Sequence, residues 1–296
     1  MRLQFGYPVL RWVAFACLPV HLSGCHTEQG HEDLSPHSDA EMISEVSSAR
    51  PGEPFCVGLR LTLDPGWHSY WLNPGDAGQP AAIEWDLPAG YRAGEIQWPF
   101  PHKVEESSVV SYGYDNEVML LTEITPPRSL TDEQTVSISA LAHWLVCKDI
   151  CLPAEADLEF EIRISDEPSL PDPQWIEAFA ETRERLPAVA SGWAMSATRD
   201  REGFVLEVNL DGPIPQSIEG AFFFASERGV LDHGAYQRVA RGDGRFSISL
   251  TRSKYARAEP KRLKGVLAMP EEITLGSVST RAIAVDVSVV GEQRDM

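Results

Sequence analysis

The sequence predicts an all-β chain: two tandem immunoglobulin-like antiparallel β-sandwiches, with one short helix beside the linker between them. The first observation behind this is period-two alternation. Phe55, Val57, Leu59, Leu61 and Leu63 alternate with Cys56, Gly58, Arg60 and Thr62, the pattern of a strand buried on one face. The second is turn chemistry at strand-length intervals, in Asp64-Pro65-Gly66, Asn73-Pro74-Gly75-Asp76 and Gly242-Asp243-Gly244. The third is that one stretch alone carries a helical stripe. There Asp172 and Pro173 form a start signal, and Trp175, Ile176, Phe179 and Leu186 an apolar face that Pro187 ends.

Length and charge bound the rest. With 296 residues, 43% of them hydrophobic, the chain can bury a substantial core. A net charge of −19 excludes nucleic acid as a natural partner, because phosphate binding needs a basic surface. No apolar run reaches the eighteen or so residues of a membrane-spanning helix.

Residues 1–25 form a targeting segment, with Arg2 and Arg11 ahead of a short apolar run, Trp12 to Leu22. It ends in Leu22-Ser23-Gly24-Cys25, which resembles the lipobox of bacterial lipoproteins, so Cys25 is the expected lipidation site. The chain is then exported and lipid-anchored in the bacterial envelope, facing the periplasm, and the lipid is its sole attachment to membrane. His26 after that cysteine favours the outer membrane over the inner. Residues 26–45 are polar and aperiodic, a disordered tether in which His26, His31 and His37 are solvated.

Residues 46–167 form the first sandwich. Beyond the opening strand, further strands are expected at 68–72, 81–87, 95–98, 118–124, 135–146 and 157–164, with Trp67, Trp71, Trp85, Trp98 and Trp144 as packing residues. Glu167-Pro168-Ser169-Leu170-Pro171-Asp172-Pro173 is a stiff linker. Residues 168–296 hold the helix and then a second sandwich with strands at 193–198, 204–210, 221–225, 246–250, 263–268 and 282–290. This half has no cysteine, no paired carboxylates and no metal-ligand spacing, which leaves it a structural or docking role.

The chemistry concentrates in residues 142–153, AHWLVCKDICLP. Export permits disulfides. Losing Cys17 and lipidating Cys25 leaves Cys56, Cys147 and Cys151, one pair and one spare. Val136, Ile138, Ala140, Ala142, Trp144 and Val146 share one face of a strand running into Cys147, so Lys148-Asp149-Ile150 is a tight connection between two strands. Three fates are open for the pair. The cysteines can cycle between dithiol and disulfide, as suits a short exposed loop. They can form an inert staple, although so short a loop removes little chain entropy. They can also bind a metal with His143, but a strand holds His143 about 13 Å from Cys147 at ~3.3 Å per residue. Lys148 favours a thiolate and Asp149 opposes it, so the attacking sulfur is not assigned. No metal or other cofactor is expected, and Cys56 is expected to be a small strand residue.

The run from Trp144 to Pro153 resembles the cysteine-bearing end of the periplasmic N-terminal domain of the DsbD and ScsB thiol:disulfide interchange proteins. Pro65-Gly66-Trp67-His68-Ser69-Tyr70-Trp71, Trp98-Pro99, Tyr112-Gly113-Tyr114, Ala221-Phe222-Phe223-Phe224 and Leu263-Lys264-Gly265-Val266-Leu267 fit the ScsB-like branch. The resemblance implies that Cys147 and Cys151 are the exchange pair of a protein-disulfide reductase type of activity. It also implies a cap over them within residues 104–114, where Tyr112 or Tyr114 covers the sulfurs, with Trp144, Trp67, His68 and Asp149 as lining. The partners it implies are a thioredoxin-like or membrane electron-donor protein and exported thiol or disulfide substrate proteins. Disulfide correction, cytochrome c maturation and metal-stress tolerance are the settings. Family members also carry a multi-helix membrane domain and a thioredoxin domain. Neither is recognised in this sequence, so the electron donor is expected to be a separate chain. The rival expectation is a non-enzymatic envelope module that binds copper or zinc, or an adaptor.

Overall fold

The structure is a computed structural model, and it describes residues 36–106, 108–129, 134–190, 192–210, 215, 217–275 and 278–291. The signal segment, Cys25, His26 and His31 lie outside the described residues.

The first half contains β1 (Ser38–Ser44), β2 (Val46–Ala49), β3 (Phe55–Leu63), β4 (His68–Gly75), β5 (Ala82–Asp86), β6 (Arg92–Ala93), β7 (His102–Glu106), β8 (Val109–Asp115), β9 (Glu117–Thr125), β10 (Gln134–Cys147), β11 (Cys151–Ile164) and β12 (Leu170–Pro171). They form two facing sheets. One runs β1-β3-β9-β6, and the other β12-β2-β11-β10-β4-β8-β7 with β5 added along β10. After α1 (Ile176–Glu184) come β13 (Ala188–Val189), β14 (Trp193–Arg199), β15 (Gly203–Leu210), β16 (Phe222–Ala225), β17 (Arg238–Gly242), β18 (Arg245–Thr251), β19 (Arg262–Leu275) and β20 (Val278–Val290). Their order is β16-β19-β20-β14-β15-β18-β17, with β13 beside β20. The chain is all-β with one short helix, as its alternation predicts.

Patterning explains why these residues form these strands. Along β10, Ile138, Ala140, Ala142, Trp144 and Val146 are buried while Ser139, Leu141, His143 and Leu145 between them are half-exposed. Each large side chain so buried contributes about 1.5–3 kcal/mol. Antiparallel pairing of β10 with β11 then runs unbroken from Gln134 opposite Ile164 to Cys147 opposite Cys151.

Several expectations are corrected. The tether does not extend to residue 45, because Ser38–Ser44 pairs with β3 and buries Met42 and Ile43. His37 is not a free tether histidine: its ring stacks on Trp67 at 3.9 Å and its Nδ1 lies 2.9 Å from Asp64 Oδ2. Residues 95–98 make a single bridge, Gln97 to Leu121, rather than a strand. Pro153 does not delay β11, since it sits opposite Leu145 where the other edge of β11 needs no N–H donor; β2 pairs only at Arg163 and Ile164. The linker is partly sheet, with Leu170 paired to Ser48. Asp172 Oδ1 accepts from the Gln174 N–H, one turn ahead of the helix, and Trp175 at the N-cap has no side-chain cap. Of the expected stripe, Phe179 is fully buried but Ile176 is 49% exposed.

The helix packs on the first sandwich rather than the second. Phe179 joins Ile43, Met119 and Leu121, with Cys56, Trp175 and Leu186 at the margin. The two sandwiches are not separate beads either. Trp71 and Tyr112 share a core cluster with Phe224, Val266 and Ala282, and residues 33–296 form one compact unit. Fully buried Asn73 donates from Nδ2 to the Ala225 carbonyl at 2.8 Å, and Asp76 Oδ1 meets His233 Nδ1 at 2.9 Å. Among the described residues no helix is long and apolar enough to cross a membrane, a statement that says nothing of β-barrels.

Candidate functional site

The β10–β11 hairpin brings Cys147 and Cys151 opposite each other with their Cα atoms 4.2 Å apart, and they form a disulfide. Only Lys148, Asp149 and Ile150 connect the strands, tied by a Lys148 N–H to Ile150 carbonyl contact of 3.3 Å. The Asp64-Pro65-Gly66 turn lies under this loop. Gly66 has φ +81°, and a Cβ there would come within 3.1 Å of Lys148 Nζ. The two sulfurs differ in access. Cys147 is 5% exposed, whereas Cys151 is exposed and Ile150 beside it is 61% exposed.

Strand β4 supplies the site's inner wall. Its first residue, His68, is paired to Cys147 on one side and to Asp115 of β8 on the other. Period two then puts His68 and Tyr70 on one face of β4. The Tyr70 hydroxyl is 3.2 Å from Cys151 Sγ, and a disulfide sulfur has no proton, so the hydroxyl donates. Burial, aided by Glu106, pushes Tyr70 up to about 12, which keeps that donor protonated. Its ring meets His68 edge-on at 5.2 Å. Over its other side lies Gly78, at φ +99°, where a Cβ would stand 2.3 Å from Tyr70 Cε1. Only glycine permits this approach.

His68 is 4% exposed, and burial pushes its imidazole down, with Glu106 opposing. Its Nδ1 stands 3.7 Å from Glu106 Oε1, beyond hydrogen-bond range, and its Nε2 has no hydrogen-bond partner. Ligand-type atoms of His68, Glu106 and Cys147 all lie within 4.8 Å of one another.

The expected lining residues divide. His68 lies against the pair, and Asp149 is exposed within the loop itself. Tyr112 and Tyr114 do not cover the sulfurs through any contact seen here. Tyr112 is wedged against Phe222, Phe224 and His233, and Tyr114 donates its hydroxyl to the Pro99 carbonyl at 2.7 Å. Both side chains point into the core because β8 has buried residues on both faces. Trp144 is a core residue whose Nε1 donates to Ser38 Oγ at 3.0 Å, and Trp67 is stacked by His37. What the β7–β8 hairpin brings to the cysteines is Glu106. His143 sits between Glu84 and Glu155, at 3.7 and 3.5 Å. Cys56 is half-buried beside the helix, and burial raises its thiol pKa, against Arg183.

Sequence reasoning did not single out Tyr70, and it covered Glu106 only as part of the stretch 104–114 expected to cap the cysteines. Tyr70 is marked as the residue two beyond His68, whereas nothing local marks Glu106 within that stretch.

Comparison with known proteins agrees with this geometry. The family profile described as thiol:disulfide interchange protein DsbD, N-terminal, matches residues 38–162. No curated protein matches the chain. Among solved structures, the N-terminal periplasmic domain of ScsB from Proteus mirabilis is 18% identical, with a TM-score of 0.56 over 86% of this chain and 94% of that one. The chaperone YadV, 8% identical over 83% of this chain and 100% of that one, has a TM-score of only 0.22 and carries no argument. The ScsB likeness covers both sandwiches and establishes the fold. The family match begins at Ser38, where β1 begins, and it encloses both cysteines. Residues 38–162 thus match the N-terminal domain of the DsbD thiol:disulfide interchange proteins.

Proposed function

We propose that this protein relays electrons by disulfide exchange through Cys147 and Cys151, from a separate thioredoxin-like or membrane donor to exported substrate proteins. One observation carries the reading: a disulfide across a three-residue hairpin leaves one sulfur exposed and the other buried. Access then assigns the roles. A donor thiolate attacks exposed Cys151, the sulfur–sulfur bond breaks, and Cys147 leaves with the electron pair and takes up a proton. A second donor thiol resolves the mixed disulfide, so two electrons and two protons end on the pair. In the forward step the Cys151 thiolate, supported by the Tyr70 hydroxyl, attacks a substrate disulfide, and Cys147 then attacks Cys151 to release the reduced substrate. Lipid attachment at Cys25 would keep this cycle at the envelope, facing the periplasm.

The test is to express Cys147→Ser and Cys151→Ser chains and isolate mixed disulfides. Cys147→Ser is expected to trap partners through Cys151, and Cys151→Ser to trap far fewer. Equal trapping by both variants would overturn the role assignment. A pair that stays oxidised against an excess of reduced thioredoxin-type donor would overturn the relay.

A further inference from the structure

The reduced hairpin can do something the oxidised one cannot. In the disulfide each sulfur spends its bonding capacity on the other. After two-electron reduction by a dithiol donor or a phosphine, Cys147 and Cys151 become two thiols whose Cα atoms are held 4.2 Å apart by strand pairing. Facing them are the imidazole of His68 from β4 and the carboxylate of Glu106 from β7.

From this arrangement we propose that the reduced hairpin binds one Zn²⁺ ion through Cys147, Cys151, His68 and Glu106. Three of these ligand atoms already lie within 4.8 Å of one another, and the fourth, Cys151 Sγ, is bonded to Cys147 Sγ. Tetrahedral zinc with bonds of ~2.0–2.3 Å needs ligand atoms roughly 3.3–3.8 Å apart, so closure requires inward shifts of about an ångström. The two sulfurs separate to that spacing once their bond is cut.

An independent sign comes from His68. It is 96% buried by its 4% exposure, its Nε2 has no partner, and its Nδ1 is 3.7 Å from Glu106. A buried imidazole without a hydrogen bond costs free energy and requires an explanation, and a metal ligand is one. Glu106, exposed at the end of β7, has the freedom to close over the ion.

The donor set favours zinc. Two thiolates, an imidazole and a carboxylate suit a borderline ion in a four-coordinate site, whereas Cu⁺ would use the sulfurs and leave a carboxylate idle. Proton balance is explicit: the two thiols release two protons as Zn²⁺ binds, so with His68 neutral and Glu106 ionised the net charge of the site is unchanged. While zinc is bound, both sulfurs are occupied and exchange stops. Zinc would therefore hold the carrier reduced and idle, and its removal would release an active dithiol.

The proposal rests on the exchange reading only in needing a reducible pair, and the experiment separates the two. Full mature chain carrying Cys56→Ala is reduced with a phosphine, its thiols are counted, and it is titrated with Zn²⁺ against a chromophoric chelator. Co²⁺ is used in parallel to report thiolate charge-transfer and tetrahedral bands. The expected result is one zinc per reduced chain and none per oxidised chain. Loss of either non-sulfur ligand, in His68→Asn or Glu106→Gln, should weaken binding by at least the roughly 10–100-fold that losing even an outer-shell partner costs a metal site. Glu106 is exposed, so Glu106→Gln keeps the test meaningful even where His68→Asn folds poorly. Two free thiols that take up no zinc would overturn this proposal and leave the relay standing. Undiminished zinc affinity in both variants would also overturn it, reducing the site to a plain dithiol. Failure of the phosphine to free the thiols would overturn the relay and the zinc site together.

Discussion

Tyr70→Phe isolates the side chain whose hydroxyl lies against the accessible sulfur. Tyr70 is 2% exposed, and its ring is held between His68 and Gly78, so phenylalanine keeps the packing and removes only the hydroxyl 3.2 Å from Cys151 Sγ. In the disulfide that hydroxyl faces a weak neutral acceptor. In the reduced protein it faces a thiolate, where a charge-assisted hydrogen bond contributes about 1.5–3 kcal/mol. Crediting the thiolate with a differential of about 1.4 kcal/mol, its loss lowers the Cys151 thiolate population about tenfold. The remaining thiolate is less stabilised and so more nucleophilic. A Brønsted coefficient of about 0.5 returns roughly threefold, leaving Cys151 about threefold slower. The assay is iodoacetamide alkylation of the reduced chain in a Cys56→Ala background near neutral pH, with peptide masses separating Cys151 from Cys147. A Tyr70→Phe chain whose Cys151 reacts as fast as, or faster than, the parent's would refute the reasoning.

Three further outcomes are expected. Gly78→Ala places a Cβ 2.3 Å from the Tyr70 ring at φ +99°, so it should cost about 1–3 kcal/mol in urea unfolding and also slow Cys151 alkylation by displacing Tyr70. Asn73→Ala removes a fully buried donor from the Ala225 carbonyl and should lower stability by about 2–3 kcal/mol, measured by denaturant midpoint; both sandwiches should still unfold in one transition. His68 has its imidazole pKa pushed below the usual 6.5, so the unfolded chain takes up its proton first as pH falls. The stability it contributes is present above pH ~6.5 and is lost on acidification through the lower folded value, and His68→Leu should flatten that loss in urea midpoints taken at neutral and acidic pH.

The parts visible in the sequence are those governed by local periodicity. The alternation from Val136 to Val146 located β10 and with it the hairpin, and the three-residue spacing of Lys148-Asp149-Ile150 located the cysteine pair while leaving its fate open. What escaped depends on pairing between distant segments. Residues 38–44, SDAEMIS, have too few apolar residues to announce a strand, and become one because β3 offers an edge to pair with. Tyr112 and Tyr114 stand at the positions expected to cover the sulfurs, yet Tyr112 is buried under Phe222 and Phe224, which arrive from a part of the chain a hundred residues away, and Tyr114 is turned to the Pro99 carbonyl. Glu106 pairs with Val109, six residues along β8 from Asp115, the partner of His68, and yet its carboxylate lies 3.7 Å from the imidazole, a proximity no spacing in the sequence encodes.

That same pairing gives the second sandwich a physical task. Strand β4 carries His68 and Tyr70 to the cysteines at one end, and Trp71 and Asn73 to the second half along its length. Its neighbour β8 is likewise gripped through Tyr112, which packs on Phe222, Phe224 and His233. Tyr70 still pairs with Gly113, but between Tyr70 and Gly75 the β4–β8 register shifts, so ladder hydrogen bonds alone do not fix the stretch that follows Tyr70. The contacts from the second half fall within and just beyond that irregular stretch, at Trp71, Asn73 and Asp76. The second sandwich thus braces the strand that positions the sulfur's hydrogen-bond donor. Asn73→Ala, which touches no part of the disulfide, should on this argument also change the rate at which Cys151 is alkylated.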